Sequence, residues 1–172
     1  MSEEYAQMVD GCRRRDARAQ RALYDAMAPM VFSVCMRFAG CRDEAQDMLQ
    51  DVFVKVFERI SSLGNGISLV KWVYKTTVNT CVDHVRRRRR WVEIDELAED
   101  IPAVDTDPYT MEAVVEAMQH LTPTLRMVFN LCDVEGYKLD EVAEQLGSNN
   151  RAVRVALCRA RSEIKRLLSN NL

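Results

Sequence analysis

Apolar residues recur at helical spacing along most of this chain. In residues 44–60 they occupy the i, i+3, i+4 and i+7 positions, from Ala45 and Met48 to Phe57 and Ile60. This spacing predicts a helix with one apolar face that packs into a core, with Asp43 as its N-terminal cap. Further helices are predicted at 16–40, 69–90, 111–120, 123–133, 139–146 and 151–168. We therefore expect an all-α fold.

Residues 91–110 interrupt the helical pattern. They contain seven acidic residues and two prolines, and no basic residue. This composition is typical of a flexible acidic linker. The linker divides the chain into two small helical domains, 1–90 and 111–172, and a shorter break at 61–68 separates two helices of the first domain.

The total charge of the 172-residue chain is only −2, but the charges are strongly segregated. Residues 1–90 carry a net charge of +5, residues 91–110 carry −7, residues 111–150 carry −5 and residues 151–172 carry +5. Two basic ends separated by an acidic middle indicate two contacts with a polyanion.

Composition narrows the possible classes of protein. No apolar run is long enough to span a membrane, and the N-terminus lacks the apolar stretch of a signal peptide, so we expect a cytoplasmic protein without membrane insertion. The six cysteines form no C-x-x-C pair and the two histidines stand alone, so no metal site or cofactor is expected. We interpret the cysteines as reduced thiols, several of them buried. No nucleophile–base pair or phosphate-binding glycine loop points to an enzyme.

The predicted helix 44–60 has an acidic face opposite its apolar one. At 100° per residue, this face contains Asp47, Gln50, Asp51, Val54 and Glu58. An acidic face is usually only solvated. Here Val54 lies in the middle of it, which favours a basic partner surface with an apolar spot.

The predicted helix 69–90 places cations, an aromatic ring and an amide on one side. Trp72, Lys75, Asn79, Asp83 and Arg86 share this side, and its cations, ring and amide suit a phosphate backbone with exposed bases. The alternative is a solvated face with Trp72 turned inward. The five adjacent arginines at 86–90 favour nucleic acid, because a polyanion relieves their mutual repulsion.

Residues 139–168 have the pattern of a helix-turn-helix. Val142 and Leu146 point inward and Gly147 permits the turn. In the second helix, a basic face that includes Arg151, Arg154 and Lys165 lies opposite the apolar stripe. A recognition helix that enters the major groove presents such a face.

Several motifs follow one another in order through residues 5–168. In the first half they are Ala22-Leu-Tyr24, the run Asp43-Glu-Ala-Gln-Asp-Met-Leu-Gln-Asp-Val-Phe53-Val-Lys-Val-Phe57, Trp72-Val-Tyr74, and Asn79 with Asp83 and Arg86. In the second half they are Leu121-Thr-Pro123, Arg126-Met-Val-Phe129, Glu135-Gly-Tyr137, Glu141-Val-Ala143 and Arg159-Ala-Arg161. With these residues the chain resembles the extracytoplasmic-function sigma factors, which belong to the bacterial sigma-70 family.

The resemblance implies two helical domains, called regions 2 and 4, and assigns partners to them. Region 2 is expected to bind the clamp of core RNA polymerase and the promoter −10 element, and region 4 the flap and the −35 element. An anti-sigma factor is a further expected partner. In the recognition helix, Ala152, Val155 and Ala156 depart from the residues that are usual in the family.

The resemblance also assigns site residues. The polymerase-binding residues are Asp47, Gln50, Asp51, Val54 and Glu58. The −10 DNA-binding residues are Asn65, Lys71, Trp72, Lys75, Asn79, Arg86 and Arg87. The −35 DNA-binding residues are Asn150, Arg151, Arg154, Val155, Arg159, Arg161 and Lys165.

Two other classes of protein stay open from the residues alone. A helix-turn-helix regulator that binds DNA without polymerase would explain residues 111–172, but it leaves the motifs of residues 20–90 without a role. An enzyme would need a reactive constellation, and the sequence offers none.

Overall fold

The computed structural model describes residues 3–64, 66–88 and 110–169. Within these ranges the chain is helical and contains no strand, which confirms the predicted all-α fold. The α-helices are α1 (Glu3–Arg13), α2 (Ala17–Phe38), α3 (Arg42–Arg59), α4 (Leu69–Arg88), α5 (Met111–His120), α6 (Pro123–Phe129), α7 (Leu139–Leu146) and α8 (Asn150–Ser169). A 3₁₀ turn, Ile60–Ser62, follows α3, and a π-helical turn, Asn130–Val134, follows α6.

The chain divides into two compact units, Met1–His84 and Val85–Leu172. The predicted acidic linker, 91–110, lies outside the described residues except for Thr110. The predicted domain boundaries at residues 90 and 111 therefore stay a prediction.

The first unit is built around α2 and α3. Their completely buried residues include Leu23, Val31, Met48 and Val52. The ring of Phe53 on α3 lies 4.5 Å from that of Tyr24 on α2, between ring centroids, which adds an aromatic contact to the apolar burial.

Helix α1 has no counterpart among the predicted elements. It packs on α2 at Gly11, where a Cβ atom would come within 2.4 Å of the Ala19 Cβ. Only glycine permits this close approach, so the position of α1 depends on its partner helix. Short helices draw most of their stability from such packing.

The prediction that Asp43 caps α3 is wrong. The helix begins at Arg42 and Cys41 occupies the N-cap position without a side-chain hydrogen bond. The Glu44 carboxylate accepts a hydrogen bond from the N–H of Gly40, the residue before the N-cap, at 2.6 Å, so it fixes the chain that leads into the helix and does not cap it. Asp43 lies in the first turn, where a negative charge is favourable next to the helix dipole.

The second unit packs α5, α6 and α8 around a small core. Met118 and Leu121 contact Ala160, Ile164 and Leu168. Gly147 ends α7 in the left-handed conformation, φ 61°, as the helix-turn-helix pattern requires. The predicted helix 123–133 is α6 followed by the π turn. Pro123 stands at its first turn, but the Thr122 side chain makes no capping hydrogen bond.

Candidate functional site

The acidic face of α3 lies on the surface of the first unit. Asp47, Gln50 and Glu58 are exposed, and Val54 is 56% exposed. The opposite face packs into the core, where Met48, Val52 and Val56 are completely buried. A large apolar side chain held this far out of the core between carboxylates is suited to a partner that covers it. The five predicted polymerase-binding residues therefore share one helix face, and their role stays a prediction.

Asp51 differs from the other members of this face, because it is only half-exposed. Its carboxylate oxygen lies 3.3 Å from the Nδ1 atom of His84 on α4. A second contact joins the same two helices, since Lys55 Nζ lies 3.3 Å from the carboxylate of Asp83. These contacts tie the acidic face of α3 to α4, so a change at Asp51 acts on the α3–α4 contact as well as on the surface.

The predicted −10 face of α4 is largely open to solvent. Lys71, Lys75, Asn79, Arg86 and Arg87 are exposed, and Trp72 is half-buried. Half-burial of Trp72 leaves part of its ring available for stacking and places the rest against the protein. Asn65 and the arginines 89 and 90 lie outside the described residues.

The start of α8 is held by a chain of polar contacts. Asn149 caps the helix, since its side chain accepts the Ala152 N–H at 2.8 Å. The Asn150 amide donates to the Asp140 carboxylate on α7. Its amide oxygen lies 3.4 Å from a guanidinium nitrogen of Arg154. The contacts fix Asn150 and orient Arg154 next to the exposed Arg151.

Further along α8, the residues of the basic face differ in exposure, and one of the arginines is paired with a carboxylate of its own domain. Val155 and Arg159 are half-buried, and Lys165 is exposed. Arg161 forms two hydrogen bonds with the Asp133 carboxylate, at 2.6 and 2.8 Å, and this contact raises the pKa of the Arg161 guanidinium. Arg161 is thus already paired inside its own domain, which weakens its predicted role as a DNA contact.

Ala152 and Ala156, two of the departures from the family pattern, are buried against the domain core. They are therefore packing residues of α8 in this chain. Sequence reasoning also missed Asp133 and Asp140, which hold Arg161 and Asn150. No sequence signal pointed to them, because each is ten or more positions from its partner and lies on a different element.

No helix of residues 3–64, 66–88 and 110–169 combines the length and the apolar character that a bilayer crossing requires. Over those residues, no three histidine, cysteine, aspartate or glutamate side chains come together as ligands for a metal ion.

Comparison with known proteins gives relatives that cover most of this chain, among them two sigma factors. The extracytoplasmic-function RNA polymerase sigma factor SigE of Mycolicibacterium smegmatis is 29% identical over 154 residues, which cover 84% of this chain and 59% of the relative. The RNA polymerase sigma-H factor of Pseudomonas aeruginosa is 27% identical over 182 residues, which cover 96% of this chain and 94% of the relative. The chain thus spans less than two thirds of the length of SigE.

A solved structure shares the fold. The sigma factor RpoE of Bartonella quintana, crystallised in complex with the anti-sigma factor NepR, superposes with a TM-score of 0.50 at 20% identity, over 88% of this chain and 98% of RpoE. At this identity the likeness concerns the fold alone.

Two family descriptions match the sequence itself. "Sigma-70 region 2" matches residues 23–91, which include the acidic face of α3 and the basic face of α4. "Sigma-70, region 4" matches residues 111–164, which include the helix-turn-helix. Because these matches together cover well over half of the chain, the protein belongs to the sigma-70 family, with one copy each of its regions 2 and 4.

Proposed function

We propose that this protein is an RNA polymerase sigma factor, which binds core polymerase, recognises the promoter −10 and −35 elements and directs transcription initiation. One observation carries the proposal. An acidic face with an exposed valine lies on one compact unit, and a basic recognition helix lies on the other. A role in DNA binding alone does not account for an exposed valine at the centre of an acidic helix face.

The acidic face of α3 is the proposed contact with the polymerase clamp. Asp47, Gln50, Asp51 and Glu58 offer hydrogen-bond acceptors and negative charge, and Val54 supplies an apolar anchor at the centre. Charged groups at an interface set its orientation and association rate, and a buried apolar centre adds affinity.

The −10 element is the proposed ligand of α4 and the loop before it. Strand separation requires bases held outside the duplex, at a cost of a few kcal/mol. Lys75, Arg86 and Arg87 can hold the backbone, while Asn79 and the half-buried Trp72 meet exposed bases. Lys71 lies at the margin of the same face, and Asn65 is proposed as the loop residue that reads a base edge.

The −35 element is the proposed ligand of α8. Arg151 and Arg154 stand at the start of the helix, which enters the groove first in helix-turn-helix docking. Asn150 orients Arg154, and Val155 can offer only an apolar contact. Arg159 and Lys165, further along, are phosphate contacts, and Arg161 contributes least because Asp133 already holds it.

Binding to core polymerase tests the proposal most directly. The purified chain is expected to co-elute with core enzyme and to make it start transcription at specific promoters. The exchange Asp51→Arg is expected to weaken core binding by about 1–3 kcal/mol, because an attraction becomes a repulsion. Since Asp51 also contacts His84, Asp47→Arg repeats the test at a fully exposed position.

Asp25→Arg is the matched control, because Asp25 is an exposed carboxylate on α2 and lies outside this face. Full-affinity binding by both Asp47→Arg and Asp51→Arg would disprove the clamp assignment. A wild-type chain that binds promoter-like DNA but never core polymerase would instead favour a helix-turn-helix regulator.

Promoter opening tests the −10 surface separately. Asn65→Ala with Asn79→Ala is expected to leave core binding intact and to reduce strand separation. Permanganate footprinting on a cognate promoter measures this separation through unpaired thymines. Unchanged footprints would move the −10 contact away from this face.

The same function implies a location in the cell and one further partner. RNA polymerase works on DNA in the cytoplasm, and we propose that location for this chain. An anti-sigma factor is proposed to cover the exposed acidic and basic faces. When such a protein is bound, this chain is expected to lose its binding to core polymerase.

A further inference from the structure

Three arginines stand at the corner between α1 and α2, where none of the proposed contacts uses them. Arg14, Arg15 and Arg18 are exposed, and their guanidinium groups make no hydrogen bond or ion pair with the described part of the chain. The two nearby carboxylates form no ion pair with these three side chains, although backbone hydrogen bonds and, to a smaller extent, the nearby cations of Arg18 and Arg14 lower the pKa of the Asp16 carboxyl. Asp10 pairs with Arg13 at 3.2 Å, and Asp16 accepts the backbone N–H groups of Arg18 and Ala19 at the start of α2.

The backbone at this corner places an arginine where glycine is normally found. The Arg15 N–H donates to the Cys12 carbonyl and the Asp16 N–H to the Gly11 carbonyl, both at 3.0 Å. This pair of hydrogen bonds defines a Schellman ending of α1, with Arg15 at the left-handed position and φ of 60°. A side chain there strains the backbone, so glycine would be more stable. Strained backbone positions cluster at functional sites, so the choice of arginine here motivates a search for a role of its side chain.

The corner is held next to the loop that follows α3. A guanidinium nitrogen of Arg13 donates to the Leu63 carbonyl at 2.6 Å, and Leu63 itself is buried. The chain leaves Leu63 directly into the loop proposed to read the −10 element. Gly11 locks α1 against Ala19, so the corner cannot move independently of α2.

From these observations we infer that Arg14, Arg15 and Arg18 bind the phosphate backbone of the separated promoter strand next to this loop. The inference rests on the proposed function. Arginine suits the task, because its guanidinium forms paired hydrogen bonds with phosphate oxygens and loses little hydration on binding. When the loop binds bases of the separated strand, the phosphates next to those bases lie against the protein surface beside the loop. At this corner that surface has three cations without an ion-pair partner among the described residues.

The salt dependence of promoter binding measures these contacts. Core polymerase carrying the chain is bound to a promoter fragment with an already unpaired −10 region, over a series of salt concentrations. Each lost phosphate contact lowers the slope of log affinity against log salt by about 0.7 on single-stranded DNA. The triple variant Arg14→Ala, Arg15→Ala, Arg18→Ala is therefore expected to lower the slope by about 2, with core binding unchanged.

Two single variants sharpen the test. Arg18→Ala is expected to lower the slope by about 0.7, whereas its matched control Arg21→Ala leaves it unchanged. Arg21 lies one turn further along α2, is also exposed, and is already bound to Asp25 at 2.8 Å. Arg15→Gly is expected to raise the melting temperature by about 2–5 °C, because the strain is relieved, and yet to weaken promoter binding.

The outcomes separate clearly. A wild-type slope in the triple variant would overturn the inference, and so would an Arg15→Gly protein that is more stable and binds DNA equally well. A triple variant that loses core binding instead would make the corner a contact for an acidic protein surface, which also overturns it. A wild-type chain that fails to bind core polymerase would refute the proposed function, and with it this inference.

Discussion

The stability of the second unit is predicted to depend on one buried charge, the guanidinium of Arg126. This side chain is 4% exposed and bridges from α6 to the end of α5. Its nitrogens donate to the carbonyls of Met118 and Gln119 at 2.8 Å and to that of Leu121 at 2.9 Å. The last carbonyls of a helix lack intrahelical donors and carry the negative end of its dipole, so a cation satisfies both needs.

The exchange Arg126→Met keeps the length of the side chain and removes every donor. Each buried carbonyl left unpaired costs about 1–3 kcal/mol, and the burial of an uncharged side chain recovers part of this loss. The Met118 carbonyl keeps a hydrogen bond from the Leu121 N–H at 3.1 Å, and the Arg126–Gln119 hydrogen bond is only partly buried. Chiefly the Leu121 carbonyl is therefore left unpaired, and we expect a net loss of about 2 kcal/mol in the free energy of unfolding. The helical part of this unit, residues 110–169, has a total stability of only about 3–9 kcal/mol, so the variant is expected to lose a large share of it. The exchange Arg126→Lys keeps the charge but cannot reach all three carbonyls, and it is expected to lose less.

Urea denaturation of the full chain provides the assay. Far-UV circular dichroism follows both units. In a Trp91→Phe background, tryptophan fluorescence follows the first unit, because Trp72 is then the one tryptophan of the chain and it lies in Met1–His84. The circular dichroism transition is expected to shift to lower urea and the fluorescence transition to stay in place. Arg166→Met, at an exposed position on α8, serves as the control. An Arg126→Met protein that unfolds with unchanged transitions would refute the reasoning.

Three further predictions concern single side chains of the second unit. Asn130 is completely buried, and its amide nitrogen and oxygen both lack hydrogen-bond partners among the described residues. The exchange Asn130→Leu is therefore expected to stabilise the chain by about 1–2 kcal/mol in the same urea titration. A destabilised variant would contradict this. Burial, followed by the charge of Asp133, raises the pKa of the Cys132 thiol to about 11. At about pH 8 the Cys132 thiol is therefore expected to react with maleimide far more slowly than the exposed Cys41. Its rate is expected to rise about tenfold per pH unit up to about pH 10. Equal rates for the two thiols at about pH 8 would contradict the raised pKa of Cys132. In a selection on randomised −35 sequences, Arg154→Ala is expected to relax the preference at one or two base positions, whereas Lys165→Ala weakens binding to all sequences alike; identical preferences for wild type and Arg154→Ala would make Arg154 a phosphate contact.

Helix positions were predictable wherever the apolar period was long and regular. The bounds of α5 and α7 agree with the sequence prediction, and α3 and α8 differ from it by one or two residues at each end. Each of these segments carries its own apolar stripe, and burial of that stripe is what holds the helix in place. The two separate faces of α3 follow from the same period, so the sequence pattern alone predicts that Val54 faces away from the core.

The contacts that shape the candidate surfaces were not predictable in this way. Helix α1 is only 11 residues long and is held by the Gly11–Ala19 contact, and the neighbouring Arg15 reaches its strained conformation at the same junction. The polar pairs Asp51–His84 and Asp133–Arg161 join residues about 30 positions apart. A helical period states which way a side chain faces, but it carries no information on which element packs opposite. The charge that a face offers to DNA or polymerase depends on those partners, so it is set when the helices come together.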